Sequence, residues 1–282
     1  MSETVYALYP VFKATPAFRE LDLDAAASEV EELFASWGDR VSVRGVYSTV
    51  GFRADSDLML WLVGPTPEAV QDALVALGRT RAGRGLELVW TFMGVVKPAE
   101  FSDDHAPAFV KGEPPKRFLD VYPFVRTPEW YLLPREERAE MLREHGVIGR
   151  EYPDVLANTT SAFGINDWEW ILAFEADELD RLVDCIRRLR DAQARRYTKE
   201  EIPFVTGIRK DVRSAFGDLV WLAARGMMAS GTAVEEVDVA HAKDKGEKHN
   251  KKAAQKSIKE KRAAKKAKQA SSQPTHVTTS PQ

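Results

Sequence analysis

The sequence predicts an α+β fold built from two halves of one plan. Short apolar strands alternate with amphipathic helices in the order strand, helix, strand, strand, helix, strand, and the first five elements of that order recur, which suggests two βαββαβ halves. Gly51-Phe52-Arg53-Ala54-Asp55, ahead of an apolar strand, is echoed about 113 residues later by Gly164-Ile165-Asn166-Asp167. At 282 residues the chain is long enough for one large domain or two ordinary ones with a sizeable core. An echo of this kind also arises by coincidence, so the pattern alone leaves duplication open.

Residues 4–13 read as a strand, aromatic and β-branched throughout. Leu23–Trp37 reads as an amphipathic helix: Ala26, Val30, Leu33, Phe34 and Trp37 keep helical spacing, with Asp22 or Asp24 available as a cap. Val41–Val50 and Asp57–Val63 read as strands, the second one buried. Thr66-Pro67-Glu68 starts a helix to Leu77, and Leu86–Val95 closes the first half, residues 1–100, as a strand. Lys97–Lys116 is rich in Pro, Asp and Gly, and residues 101–117 form the connecting loop. The second half, 118–210, offers a strand at Phe118–Val125, a helix at Pro134–Glu144, strands at Val155–Ala162 and Trp168–Glu175, and a helix at Ala176–Arg190.

Within the Pro134 helix, the missing N–H of proline suits the first turn, and Glu136 and Glu137 favour the positive end of the dipole. Met141, Leu142 and His145 fall on one side, and Gly146 is expected to stop the helix. Taken alone, a histidine among such neighbours is more often a core residue than a ligand.

Residues 211–282 form an extension. Leu219-Val220-Trp221-Leu222 suits a short helix, and the Lys/Ala-rich tail beyond it is expected to be disordered. His241–Ala270 holds 12 Lys/Arg against 3 Asp/Glu, while the whole chain carries a net charge of -3, so the body is acidic. An acidic body argues against nucleic acid as its main ligand. The tail reads as solvated, or as a basic arm that visits anionic lipid or nucleic acid. His241, His249 and His276 belong to it.

The single cysteine, Cys185, excludes an intrachain disulfide framework and a cysteine-rich zinc site. No secretory signal and no apolar run of spanning length is visible, and the expected location is cytoplasmic. G-x-x-x-x-G-K-[ST], G-x-G-x-x-G after a strand and H-E-x-x-H are all missing, which removes the corresponding nucleotide and hydrolytic metal chemistries.

Y-P-F-V-R at Tyr122–Arg126, W-Y-L-L-P at Trp130–Pro134, E-E-R at Glu136–Arg138 and M-L-R-E-H-G at Met141–Gly146 follow one another in order. F-G-I-N-D-W-E-W at Phe163–Trp170 and I-P-F-V-T-G at Ile202–Gly207 continue the series. Over about residues 4–208 the chain resembles the chlorite dismutase-like family, and within it the actinobacterial-type coproheme decarboxylases. The resemblance implies two tandem ferredoxin-like halves forming a dimeric α+β barrel, and a homopentamer. It also implies oxidative decarboxylation of iron coproporphyrin III to haem b with hydrogen peroxide, the porphyrin being both substrate and redox cofactor.

By the same resemblance His145 matches the proximal iron ligand, a role that needs one neutral imidazole on a rigid element. Tyr122 matches a radical relay: a phenol beside a propionate passes an electron to the iron centre and loses its proton. Arg126 stands where the other bacterial branch of decarboxylases carries a propionate-side lysine, and it keeps the charge. His105 matches the distal histidine, which takes a proton from peroxide. Phe124 and Trp130 are expected to pack on the porphyrin, while Trp168 and Trp170 read as core. Arg190 is a candidate second propionate anchor, with Arg187 and Arg188 close by.

Asn158 falls where true chlorite dismutases carry an arginine over the iron, and an amide does not supply that charge. Chlorite dismutation is therefore not expected. The rival readings are a haem peroxidase or chlorite dismutase-like enzyme, and a non-catalytic haem carrier or sensor. Contact with a ferrochelatase that supplies substrate is a further expectation.

Overall fold

The computed structural model describes residues 4–98, 100–101 and 106–220. In these the first half runs β1 (Tyr6–Ala14), α1 (Leu23–Trp37), β2 (Ser42–Ser48), β3 (Leu58–Gly64), α2 (Pro67–Arg79), the single turn α3 (Arg81–Arg84) and β4 (Leu86–Val95). The second runs β5 (Phe118–Arg126), α4 (Pro128–Leu132), α5 (Arg135–Gly149), β6 (Leu156–Ser161), β7 (Trp170–Ala176), α6 (Leu179–Leu189), β8 (Thr198–Glu200) and β9 (Val205–Lys210). The helix α7 (Val212–Leu219) follows.

Local chemistry sets the helix starts. Asp22 caps α1 by accepting from the Ala25 N–H, Thr66 caps α2 through the Ala69 N–H, and Pro67 opens α2. Helix α1 ends at Gly38, whose φ of 55° favours a residue without a Cβ.

The strands form an α+β architecture around one large antiparallel sheet, ordered β7-β6-β4-β1-β3-β2-β9-β5-β8. Because β5 also pairs with β7, eight of the strands close into a ring. The halves meet at two seams: β2 with β9 from Val46↔Lys210 to Ser48↔Ile208, and β4 with β6 at Val95↔Ser161.

Alternation along each strand divides the core into three parts. Inside the ring sit Tyr9, Tyr47, Trp61, Phe92, Leu119, Val121 and their neighbours. Outside it, α1, α2 and α7 cover the first half's strands over Leu8, Phe12, Phe18, Val30, Leu60 and Phe216. Over the second half, Phe118, Tyr122, Phe174 and Ala176 pack against Leu182 of α6.

Five elements differ from expectation. Helix α5 does not stop at Gly146, which lacks a positive φ; it runs on to Gly149, with Ile148 buried in its last turn and the Arg150 N–H returning to the Gly146 carbonyl. The extension begins with α7, capped by Asp211, which buries Val212, Ala215, Phe216 and Leu219 in the first half's core. The one-turn α4 and the strands β8 and β9 were not legible as elements. His105, Trp221, Leu222 and the tail lie outside the described residues. Among the described residues no helix is long and apolar enough to cross a membrane.

Candidate active site

Strand β5 supplies the site's base. Phe118, Asp120, Tyr122, Phe124 and Arg126 alternate onto its outer face, while Leu119 and Val121 enter the ring. Tyr122 is buried, its ring stacked on Phe204 at 4.4 Å and edge-on to Phe174 at 5.9 Å. Burial holds its phenol well above the usual range; the Asp120 and Glu201 carboxylates push the same way, and Arg190 opposes them.

Phe124, Arg126 and Trp130 form one stack. The Arg126 guanidinium lies 4.6 Å from the Phe124 ring centre and 4.1 Å from that of Trp130. Its Nη1 donates to the Ala194 carbonyl at 2.8 Å, and its backbone N–H donates to Glu169 Oε2 at 2.7 Å. Burial brings the Arg126 pKa down to about 10.

At the end of α6, Arg190 Nη1 donates to Glu201 Oε2, and Arg195 Nη1 donates to the same oxygen. Arg188 is committed elsewhere: it donates twice to Glu151 at 2.9 Å and once to Asp191 at 3.1 Å. Of Arg188 and Arg190, then, it is Arg190 that is held beside Tyr122.

His145 lies on α5 with Met141 and Ile148 at i, i+4 and i+7, so the three share a side. Met141, Leu142 and His145 are half-buried, and Ile148 is buried. The reason is in the packing: α5 rests mainly on α6 and on the turn Gln193–Tyr197, not on the strands. Glu144 accepts from the Gln193 N–H at 2.8 Å and fixes α5 to that turn. The turn thus ties the pieces together, since its Ala194 carbonyl receives Arg126 and its Arg195 holds Glu201.

These residues suit a flat apolar ring with carboxylate edges. Phe124 and its cross-strand partner Trp170 stay half-buried on the outer face, continued by Phe163, 5.2 Å from Trp170, and Tyr131, 6.0 Å from Phe163. Arginines stand at the side. Among the described residues no cluster of three or more His, Cys, Asp or Glu is placed to hold a metal ion, and a porphyrin-bound iron needs only one imidazole.

Asn158 is not part of this assembly. It pairs with Ala173, whose side chain enters the ring, so its own amide does too. Its Oδ1 accepts from the Phe109 N–H at 2.9 Å, and its Nδ2 donates to the Ala173 carbonyl and Glu175 Oε1, both at 3.0 Å. The expected porphyrin-binding residue Asn158 thus turns its amide to the face opposite Tyr122. Its neighbours Ala157 and Thr159 are exposed on the outer side instead, and neither carries a charge. Asn158→Ala is expected to cost about 1–3 kcal/mol of stability. Porphyrin affinity should stay within about twofold in a Soret titration, because no ring-binding group is removed. Lost affinity at unchanged stability would return Asn158 to the site.

Sequence reasoning missed three groups: Asp120, Arg195 and Glu201. Asp120 left a signal, being an acid inside the apolar run F-L-D-V-Y. Arg195 and Glu201 left none, since both sit in irregular segments whose course a sequence does not give.

Residues 23–210 match the family model for chlorite dismutase. A coproheme decarboxylase of Mycolicibacterium smegmatis (strain ATCC 700084 / mc(2)155) is 46% identical over 216 residues, covering 76% of this chain and 94% of that protein. A mutant chlorite dismutase from Candidatus Nitrospira defluvii shares the fold at a TM-score of 0.69 and 23% identity, over 77% of this chain and 95% of that one. Chlorite dismutase from the same source in complex with imidazole gives a TM-score of 0.69 at 22% identity, over 77% and 95%. With a model that spans both seams and a relative matched along nearly its whole length, the chain belongs to the chlorite dismutase family.

Proposed function

We propose that this protein is a coproheme decarboxylase, an enzyme of haem biosynthesis. In this reading it uses hydrogen peroxide to convert two propionates of iron coproporphyrin III to vinyl groups, giving haem b. The observation that carries the reading is the position of Tyr122, buried close to Arg190 and Glu201 and on the same strand face as Phe124 and Arg126, which stack with Trp130. In this reading a carboxylate-bearing porphyrin edge would meet an oxidisable phenol there. The 46% identical decarboxylase supports the same chemistry.

His145 is the residue that would hold the iron, and Arg126 and Arg190 would hold propionates; Phe124 and Trp130 pack on the ring. The bound iron porphyrin supplies the redox centre at which peroxide is reduced. The protein's own part is to orient the carboxylates, bury Tyr122 and manage its proton. His105 remains the proposed distal acid–base group. Chlorite dismutation is the weaker reading, because neither Ala157 nor Thr159 presents a cation on the outer face of β6.

The same reading takes the two βαββαβ runs as duplicated ferredoxin-like halves of a dimeric α+β barrel. It also takes the working form as a cytoplasmic homopentamer supplied by a ferrochelatase. The direct test is mass-resolved turnover with iron coproporphyrin III and stepwise hydrogen peroxide. Loss of two carboxyl groups through a three-propionate intermediate is expected; bleaching of bound porphyrin without decarboxylation would favour a peroxidase or carrier.

A further inference from the structure

A buried phenol that gives up an electron must also give up its proton, because the phenol cation is a very strong acid and a low-dielectric site stabilises charge poorly. The decarboxylase reading therefore requires a base near Tyr122, and none has been assigned. We infer that Asp120 is that base. The inference rests on Tyr122 as the relay.

Asp120 precedes Tyr122 by two residues on β5, so the two side chains leave the same face about 7 Å apart at their origins. In this inference the proton travels between them through one intervening water. Asp120 is 4% exposed, and its Oδ1 accepts from Thr206 Oγ1, at 2.9 Å, on its cross-strand partner in β9. Among the described residues no Lys or Arg pairs with it, which leaves Oδ2 available for a proton.

The other groups facing Tyr122 are unsuited to the task. Glu201, on the segment before β9, already holds Arg190 and Arg195, and protonating it would break both pairs. Cys185 of α6 is pushed up to about 11 by burial and keeps its own proton. Arg190, at the end of α6, is a cation. From β7, β9 and the residue before β9 the facing side chains are Leu172, Phe174, Phe204, Thr206 and Ile208, and none of them is an acid or base.

Burial raises Asp120 from the usual carboxylate range to about 7. The shift is upward, so Asp120 is neutral and unable to accept below that value and becomes a base above it. A base titrating near the working pH is the kind that proton transfer favours. The step balances as follows. The Tyr122 O–H bond breaks, the electron goes to the porphyrin oxidised by hydrogen peroxide, and the proton goes through water to Asp120 Oδ2. The tyrosyl oxygen then regains a hydrogen atom from a propionate C–H; the carbon radical gives up the second of the two electrons that one hydrogen peroxide takes, its C–carboxylate bond breaks to release carbon dioxide and leave the vinyl group, and Asp120 releases its proton to solvent.

The test separates this step from turnover. The full chain without porphyrin is oxidised by flash-generated tris(bipyridine)ruthenium(III), and the tyrosyl radical is read by electron paramagnetic resonance. Subtracting the Tyr122→Phe signal isolates Tyr122. In the wild type that share is expected to rise severalfold from about pH 6 to about pH 8, with its midpoint at the Asp120 titration. Asp120→Asn should flatten the rise and lower the yield at the upper end about tenfold, and Asp120→Glu should restore a rise with a displaced midpoint. Glu201→Gln should leave the midpoint in place.

A rise that persists in Asp120→Asn, or one that disappears in Glu201→Gln alone, would overturn the assignment. Should Asp120→Asn fail to fold, the displaced midpoint of Asp120→Glu decides. A wild type that shows the rise yet leaves coproheme intact would remove the decarboxylase reading and leave the base standing.

Discussion

Tyr122→Phe should bind iron coproporphyrin III within about twofold of the wild type and yet lose decarboxylation by roughly a thousandfold. The substitution keeps the ring, and the ring is what stacks on Phe204 and meets Phe174. It removes only the hydroxyl. The groups expected to hold propionates, Arg126 and Arg190, are fixed by other partners, Ala194 and Glu201, so binding is spared. A Soret titration followed by mass-resolved turnover separates the two quantities. Turnover within about tenfold of the wild type would mean that an oxidising equivalent reaches the propionates without Tyr122, and its role as relay would be lost.

The second large effect lies inside the ring. Glu175 is fully buried; its Oε1 accepts from Arg44 Nε at 3.1 Å, Arg44 Nη2 at 2.7 Å and Asn158 Nδ2 at 3.0 Å, and its Oε2 accepts from the Lys116 N–H at 3.1 Å. Arg44 comes from β2 and Glu175 from β7, so one ion pair crosses between the halves. Glu175→Gln leaves the Arg44 guanidinium buried without its counter-charge, at an expected cost of about 3–5 kcal/mol. For a domain of this size that is a fall in Tm of roughly 6–20 °C. In Arg44→Met/Glu175→Gln the stranded charge is gone, and the double variant should melt well above Glu175→Gln alone. Single and double melts that add without coupling would show that the pair does not act as a unit.

What the sequence disclosed follows from the range of each interaction. Helix α1 was legible to the residue because its cap, Asp22, and its apolar spacing are all local. The end of α5 was misjudged because Gly146 looks like a stop, whereas tertiary burial of Ile148 carries the helix another turn. The face that Asn158 takes was not legible for a different reason. A strand changes face with every residue, and a count of 13 positions from His145 through an irregular loop does not fix which face is reached. The Phe124–Arg126–Trp130 stack was nearly readable, since alternation puts two of its members on one face and Trp130 follows after a short turn. The Glu201 clamp was not, because it closes between the end of α6 and two separate loops.

The closure of β5 onto β7 bears on how the molecule meets others. An open sheet presents a row of free backbone groups to which a foreign strand can add, the usual start of edge-to-edge aggregation. Here most strands have neighbours on both sides, although β4 (Leu86–Val95) meets β6 only at Val95↔Ser161, and the added strand β8 offers a border only three residues long, Thr198–Glu200, with Lys199 and Glu200 exposed on it. Charged side chains on a short border discourage strand addition. At the β8 border, contacts between molecules are thereby directed to side chains, where residue identity sets the partner, while the backbone edge of β4 ahead of Val95 has no partner strand among the described residues.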